Sequence, residues 1–449
     1  MTECIQERFE FAGHDSRTVV AQFDGEQSSS DGGGLLLREM DRRLRLTERL
    51  SVCFADQRDQ ARVEHSVEEL LRQRVFSLAL GYEDLNDQEE LKKDPMLRLL
   101  TGKKDQGEDL AGKSTLNRLE LSTGQTSRYK KIHYWRDSID ELLLELFVES
   151  FAVAPTEIVL DLDATDLPLH GGQEDRSYHG YYGHYCYLPL YIMSGNHVLR
   201  ARLRPANQDA SAGCWKELAP VVERVRREWP EVKIIVRADS GFCLPRRADV
   251  VVRAKQGGLC IGDGAQQDAA EADPGSAGAG TPGFAVTGKA TRVFTEFSYR
   301  TVSKSWSGWR RVVAKAEHIK DKDNPRFIVT TLSPEEHERQ SLYQKLYCAR
   351  GKMENRIKDQ MSLFADRMST ESFRGNQLRL YLSTFAYTLL LGLKEHTLQG
   401  TELAKAQPQT LRLRLLKVAA CVRVTARKIW VSLPRSYPWQ DVFRQAHLA

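Results

Sequence analysis

The chain has 449 residues, of which 41% are apolar and 28% charged, enough to build sizeable cores and enough to exclude a globally disordered polymer. At roughly 150 residues per domain, that length predicts two or three domains. Lys and Arg number 65 against 61 Asp and Glu, and the resulting net charge of +4 is too small by itself to imply a nucleic-acid partner.

The first residues, MTECIQERFEFAG, carry no basic flank followed by an apolar run, so a secretory signal is not expected. From residue 34 to about 152 apolar residues recur at helical spacing. Leu35–Leu46 (LLLREMDRRLRL) alternates apolar and basic faces, and Ser66-Val67-Glu68-Glu69 is a capping box opening the helix EELLRQRVFSLAL. Lys113–Arg118 (KSTLNR) opens a short basic segment, and Asp137–Ser150 reads as a strongly apolar amphipathic helix. A helical N-terminal region over residues 1–152 is predicted, with basic segments suited to DNA phosphates.

The texture changes at Pro155. Glu157–Leu162, Tyr187–Met193 and His197–Leu203 read as strands, the last two joined through Ser194-Gly195-Asn196, which suits a hairpin turn. Trp215–Trp229 is a helix stopped by Pro230, and Val232–Ala238 is another buried strand. Three strands, a helix and a strand predict a mixed α/β sheet over 153–262. Gly257 to Gly288 is rich in Gly, Ala, Asp and Gln and reads as a flexible loop. Strand-like runs follow, with Val293, Phe297 and Tyr299 on one face and then Trp309–Lys315, giving a loop and β-rich stretch over 263–325. Arg326–Thr331 returns to buried-strand texture, and a second capping box, Ser333-Pro334-Glu335-Glu336, opens a broken helical stretch reaching about Glu395, so the core resumes over 326–398. Within it Tyr381–Leu393 is too short for a bilayer and predicts a buried helix. In the region 399–449 nine Lys or Arg residues after position 400 face only Glu402 and Asp441. Eight cysteines form no close pair, which suggests neither zinc site nor disulfide framework and fits a reducing cytoplasm.

Three acids stand out by position. Asp163 follows one buried strand (VLDLDATD), Asp239 follows another (IIVRADSGF), and Glu354 lies in the predicted helix YCARGKMENRIKD. Carboxylates at the ends of central strands cost desolvation energy unless a cation compensates them. Hard divalent ions prefer oxygen ligands, and a pair of them can clamp the attacking and leaving oxygens of a phosphodiester. A single strand-end Asp is commonly only a turn former or cap; three in this order favour the metal reading. On a regular helix Tyr347, Arg350, Glu354 and Lys358 would share a face, one carboxylate among cations suited to phosphates. The plain alternative is an exposed helix with i,i+4 ion pairs.

The set LDLDATDLPLHG, HYCYLPLY, LRP, VRADSGF and YCARGKMENRIKDQ resembles the DDE transposases of bacterial insertion sequences. More narrowly it is similar to the "DDE domain, group 1" branch, the insertion-sequence family numbered thirteen-eighty. The resemblance also reaches LAGKSTLNRLE and NQLRLYL, and spans roughly residues 30 to 445. It implies an α/β fold with an RNase H-like mixed-sheet catalytic core interrupted by a β-rich insertion, a helical N-terminal domain and a basic C-terminal region. It also implies two divalent ions, Mg2+ or Mn2+, and cut-and-paste chemistry. The partners it implies are double-stranded DNA, both inverted-repeat ends and target, with a homodimer assembled on that DNA in the bacterial cytoplasm, at the nucleoid.

By this resemblance the catalytic and metal-binding residues are Asp163, Asp239 and Glu354, with Asp161 on the same strand face as a rival for the first place. Tyr347 and Arg350 match the family's Tyr-Arg-Glu-Lys helix signature. The final cation departs from it: Met361 stands there and Lys358 is the available substitute. Asp239 and Glu354 are 115 residues apart, too far for one strand–helix connection, where related enzymes carry an insertion. Trp306 and Trp309 are then candidates to stack on a flipped base, or else pack a small β core. His170 and Gln173, with the Tyr- and His-rich stretch 179–187, are candidates to line a DNA groove, or else form a packed hairpin. Two other functions remain open: Asp161-x-Asp163-x-Thr165 matches the aspartyl-nucleophile signature of haloacid-dehalogenase-like phosphatases, and a DNA-binding protein that keeps the fold without transposing fits the same motifs.

Overall fold

The computed structural model describes residues 8–103, 107–121, 129–242, 257–262, 291–300, 309–319, 322–323 and 326–449. The N-terminal part begins with an exposed hairpin, β1 (Arg8–His14) and β2 (Arg17–Gln22), and a two-residue strand, β3 (Ser28–Ser29). Helices α1 (Gly34–Leu44), α2 (Leu46–Val52), α3 (Val67–Leu80), α4 (Gln88–Leu91), α5 (Pro95–Thr101), α6 (Lys113–Glu120) and α7 (Arg136–Glu149) follow. Two short strands, β4 (Phe54–Asp56) and β5 (Ile132–Tyr134), pair between them. The predicted capping box is present: the Ser66 side chain accepts from the Glu69 N–H while the Glu69 carboxylate accepts from the Ser66 N–H.

The α/β part starts with β6 (Glu157–Ala164). A small three-stranded sheet comes next, β7 (Leu167–Pro168), β8 (Ser177–His179) and β9 (His184–Tyr187), in the order β7-β9-β8. Strand β10 (Leu190–Ser194) returns to the main sheet, paired with β11 (His197–Arg202). The single strand expected over Tyr187–Met193 is thus two strands in two sheets; Pro189 lies at the break, lacking the N–H that a continuous ladder needs. Helix α8 (Cys214–Glu228) buries Leu218, Val221, Val222 and Val225, one stripe at helical spacing, and leads to β12 (Lys233–Ala238).

Strand β13 (Gly257–Gly262) occupies the start of the stretch expected to be a flexible loop. Its glycines serve close packing, since a Cβ on Gly258 would collide with Leu332 and one on Gly262 with the Tyr347 hydroxyl. The rest of that stretch, 263–290, lies outside the described residues. Strands β14 (Thr291–Tyr299), β15 (Arg310–Ile319), β16 (Lys322–Asp323) and β17 (Arg326–Thr330) then extend the same sheet. Its order is β11-β10-β6-β12-β13-β17-β15-β14, with β16 beside β15. β6, β12 and β13 are parallel to one another and their other neighbours antiparallel. The β-rich stretch expected over 263–325 supplies, in its described strands, the far edge of the main sheet, where Val312 and Ala314 of β15 pack with Phe327 and Val329 of β17.

Past β17 the second capping box opens no helix. Ser333 accepts from the Glu336 N–H in a single turn, and the helical stretch starts only at Arg339, capped by Glu338. A wide π-helical turn (Leu342–Tyr347) and a 3-10 turn (Cys348–Arg350) lead into α9 (Gly351–Met361), so Tyr347 does not stand on a regular helix with Arg350, Glu354 and Lys358. Helix α10 (Phe373–Thr397) contains the predicted buried segment. The C-terminal region adds β18 (Ala420–Val424), β19 (Ile429–Ser432) and α11 (Gln440–Leu448).

Side chains alternate between the two faces of the sheet. Leu190, Ile192 and Leu199 pack with α8 and α7, while Tyr191, Met193 and Val198 pack with α10. The helical region is not a core of its own. Leu70, Leu71 and Phe76 of α3 share one cluster with Tyr381 and Phe385 of α10, Leu415 and Leu416, and β3 pairs with β18. Helix α10 is apolar on nearly every side, so it needs the N-terminal helices to cover the faces that the sheet leaves open. Glu120, fully buried, accepts from Arg74 Nε at 2.7 Å and Arg379 Nε at 2.8 Å and ties the two halves together. Among the described residues no helix is long and apolar enough to cross a membrane.

Candidate active site

The register of β6 and β12 aligns Asp161 with Arg237 and Leu162 with Ala238. The next residues, Asp163 and Asp239, therefore stand side by side at the carboxyl ends of neighbouring parallel strands, where strands are about 4.8 Å apart. Asp163 is 8% exposed; its Oδ1 accepts from the Ala164 N–H at 2.9 Å. Asp239 is half-buried, and its Oδ1 accepts from the Gly241 N–H at 3.0 Å. Glu354 comes from the first turn of α9.

Arg350 joins them. Its Nη1 is 3.4 Å from Asp163 Oδ2 and its Nη2 3.1 Å from Glu354 Oε1. Burial is the largest influence on Asp163 and pushes its pKa up to about 7; Arg350 opposes the rise, and the negative charges of Asp239 and Glu354 add to it. Burial works against the charge on Arg350, yet Asp163, Asp239, Tyr347 and Glu354 together hold its pKa above the usual value. All three acids and Arg350 thus share one electrostatic pocket. Among the described residues no three His, Cys, Asp or Glu side chains are drawn close enough to hold a metal ion as they stand. Arg350 provides the countercharge between Asp163 and Glu354 instead. The donor set itself, three carboxylates of which one is buried and kept short of full ionisation, suits a hard cation.

Asp161, the rival for the first carboxylate, is engaged elsewhere. Arg237 grips it with two bonds, Nε to Oδ1 at 2.5 Å and Nη2 to Oδ2 at 2.7 Å, and also donates to the Leu346 carbonyl. Both side chains are buried, and the pair ties β12 to the π-helical turn ahead of α9. A carboxylate clamped by a bidentate guanidinium is a poor nucleophile, which counts against the phosphatase chemistry.

Tyr347, despite the irregular turn before it, reaches the end of β13: its hydroxyl lies against Gly262 near the Ser240 N–H, and burial raises its pKa. Lys358 is exposed one turn beyond Glu354. His170 is exposed on the loop after β7. Gln173 spends its amide on scaffold, Oε1 accepting from the Gly171 N–H and Nε2 donating to the Met368 carbonyl, both at 3.1 Å. Trp306 lies outside the described residues. The structure does not bring Trp309 to the acids. The sheet register runs Leu162, Ala238, Ile261, Val329, Val312, which sets Trp309 three strands from β12 and back toward its amino end. At ~3.3 Å per residue and ~4.8 Å per strand it is about 20 Å from Asp239. Two features of the neighbourhood escaped sequence reasoning: the Asp161–Arg237 pair, and Asp166, whose Oδ2 lies 2.8 Å from His184 Nε2. The signal for the first was an Arg two residues before Asp239, on the strand face that Asp161 also occupies.

Two strand-end aspartates and a helical glutamate thus gather around one arginine at the carboxyl edge of the mixed sheet. The family model "Transposase DDE domain group 1" matches residues 11–449, so the chain belongs to that family and is a DNA transposase. No curated protein matches it. Among solved structures it is similar to a piggyBac transposase synaptic complex with hairpin DNA, seen by cryo-electron microscopy, at 10% identity over 88% of this chain and 83% of that one, with a TM-score of 0.38.

Proposed function

We propose that the chain cuts its element's DNA ends and joins them to target DNA, with Asp163, Asp239 and Glu354 as the catalytic carboxylates. The observation that carries this is the shared pocket: Asp163 and Asp239, 76 residues apart, end neighbouring parallel strands, and Arg350 bridges Asp163 to Glu354, a further 115 residues on from Asp239. The sheet order β11-β10-β6-β12-β13, antiparallel then parallel, supports reading the core as RNase H-like. The three acids would hold two Mg2+ or Mn2+ ions, which when bound supply the charge that activates water or a 3′-OH and stabilises the leaving oxygen. The chain's own residues do the rest. Arg350 bridges Asp163 and Glu354, and with cations held by those acids its guanidinium would be free to bind the scissile phosphate. Tyr347 holds the β13 end of the pocket, and Lys358 extends the cationic face of α9. The Asp161–Arg237 pair keeps β6 and β12 in register under the site. Cut-and-paste transposition, inverted-repeat ends as substrate and a homodimer joining two ends complete the reading.

The test is magnesium-dependent nicking of a plasmid that carries the inverted repeats flanking the gene, against a scrambled control. Asp163→Asn, Asp239→Asn and Glu354→Gln should each abolish nicking while retarding end DNA in gels as the native protein does. A variant that nicks at the native rate removes its residue from the site.

A further inference from the structure

We propose that the hairpin of β1 and β2 is an arm that docks on a second copy of the chain, in the groove beside the β18–β19 ribbon; this rests on the homodimer reading above and gives that dimer its contact. The cross-strand pairs Phe9–Ala21 and Phe11–Val19 share one face, and Phe23 joins them, edge to face with Phe9 at 5.7 Å. Arg8, Glu10 and Gln22 take the other face. The hairpin is thus amphipathic, yet its apolar face covers nothing. Phe11 is 60% and Phe23 93% exposed, and none of the five apolar side chains joins an apolar cluster of the described residues. A two-stranded hairpin is marginal in water by itself, and a sheet apolar on one face needs that face buried.

A groove of about 750 Å3 offers the seat. It lies between Pro95, at the start of α5, and the ribbon, which lines it with Val422, Val424 and Ile429. Val424 and Ile429 are exposed, so this apolar lining is bare as well. Arg427 and Lys428, at the turn of the ribbon, add two cations to it. Residues 8–26, the arm and its tether, carry the acids Glu10, Asp15, Asp24 and Glu26 against Arg8 and Arg17, which complements that charge.

The position of the arm makes the occupant a second copy. Gln27, five residues past the end of β2, itself lines the groove, so the arm leaves from the groove's own rim. From there it points away from the body: all of β1, and all of β2 except Gln22, is exposed. With arm and groove on one rim, a two-fold axis beside it lays each arm over the other copy's groove, a closed exchange and not an open chain. The area suits this. At ~200 Å2 for a whole phenylalanine, the bare face of the arm amounts to about 450 Å2, so two arms and two grooves bury about 1,800 Å2, the size of a stable association.

The experiment measures the mass of the full chain by sedimentation equilibrium, alone and with end DNA. The native chain should be a dimer in both. Phe11→Asp/Phe23→Asp on the arm, and Val424→Asp/Ile429→Asp in the groove, should each weaken the DNA-free dimer about a hundredfold or more, with the native circular-dichroism spectrum kept. An equimolar mixture of the two variants retains one intact contact and should recover part of the dimer. A dimer that persists in either variant, or a mixture with no recovery, overturns the arm and leaves the homodimer reading standing. So does a native chain that is dimeric only on DNA, because this contact needs none. A native chain that is monomeric alone and on end DNA overturns the homodimer reading itself, and the arm with it.

Discussion

Replacing Asp163 by Asn should abolish cutting and make the metal-free protein more stable. In the fold this carboxyl keeps its proton until pH near 7, against an ordinary value of 3.8, because it is buried and has two acidic neighbours that Arg350 does not fully offset. The unfolded chain releases the same proton near pH 4. Between those values each step up in pH weakens the folded state, and above pH 7 the full difference applies. A rise from 3.8 to about 7 corresponds to about 4 kcal/mol at ~1.36 kcal/mol per unit. Asparagine carries no charge and escapes this penalty, while Arg350 keeps Glu354 as partner. Thermal midpoints measured in chelator should therefore lie higher for Asp163→Asn at pH 8, with the gap narrowing toward pH 5. Magnesium at pH 8 should raise the native midpoint and leave the variant's unchanged. A variant less stable than native at pH 8, or a gap that does not change with pH, would refute the electrostatic argument and with it the cation-ready pocket.

Three further outcomes follow from the packing. Asp161→Asn leaves the buried Arg237 guanidinium without its countercharge and should cost about 3–5 kcal/mol in urea unfolding, the range for breaking a buried pair; the opposite sign from Asp163→Asn is the informative result. Glu120→Ala removes the buried carboxylate that Arg74 and Arg379 share and should lower stability by about 3 kcal/mol, since both keep contacts with Glu83, with the helical part losing its circular-dichroism signal in the same transition as the sheet. Trp309→Ala should cut paired ends at the native rate, since the residue is exposed and distant from the acids; a strong loss of cleavage would show that DNA wraps to that edge of the sheet.

Much of the site was legible because apolar runs that end in an acid are unusual. VLDLDATD and IIVRADSGF marked two neighbouring strand ends, and the capping box at Ser66 marked a helix start by local chemistry alone. What stayed hidden depends on distant partners. Asp161 and Asp163 share one face of one strand, and only the cross-strand Arg237 shows that Asp161 is held in an ion pair. Pro189 looked like part of a run, and only the second sheet shows why it is a break. Gly257–Gly262 looked flexible because composition does not reveal that Leu332 and Tyr347 close over two of its glycines. The distance of Trp309 from the acids is set by a register running across three strands, which no local spacing reveals.

The stitching of β3 to β18, and of α1 and α3 onto α10, also orders events during synthesis. A ribosome that has delivered residues up to about 260 has exposed both strand-end aspartates, yet the helix bearing Glu354 and the apolar rod that closes the helical half are still unmade. Copies cut short there consequently lack Glu354, and the apolar faces of α1 and α3 that α10 covers stay open. The acidic pocket as a whole can therefore form only after residue 354 has been made.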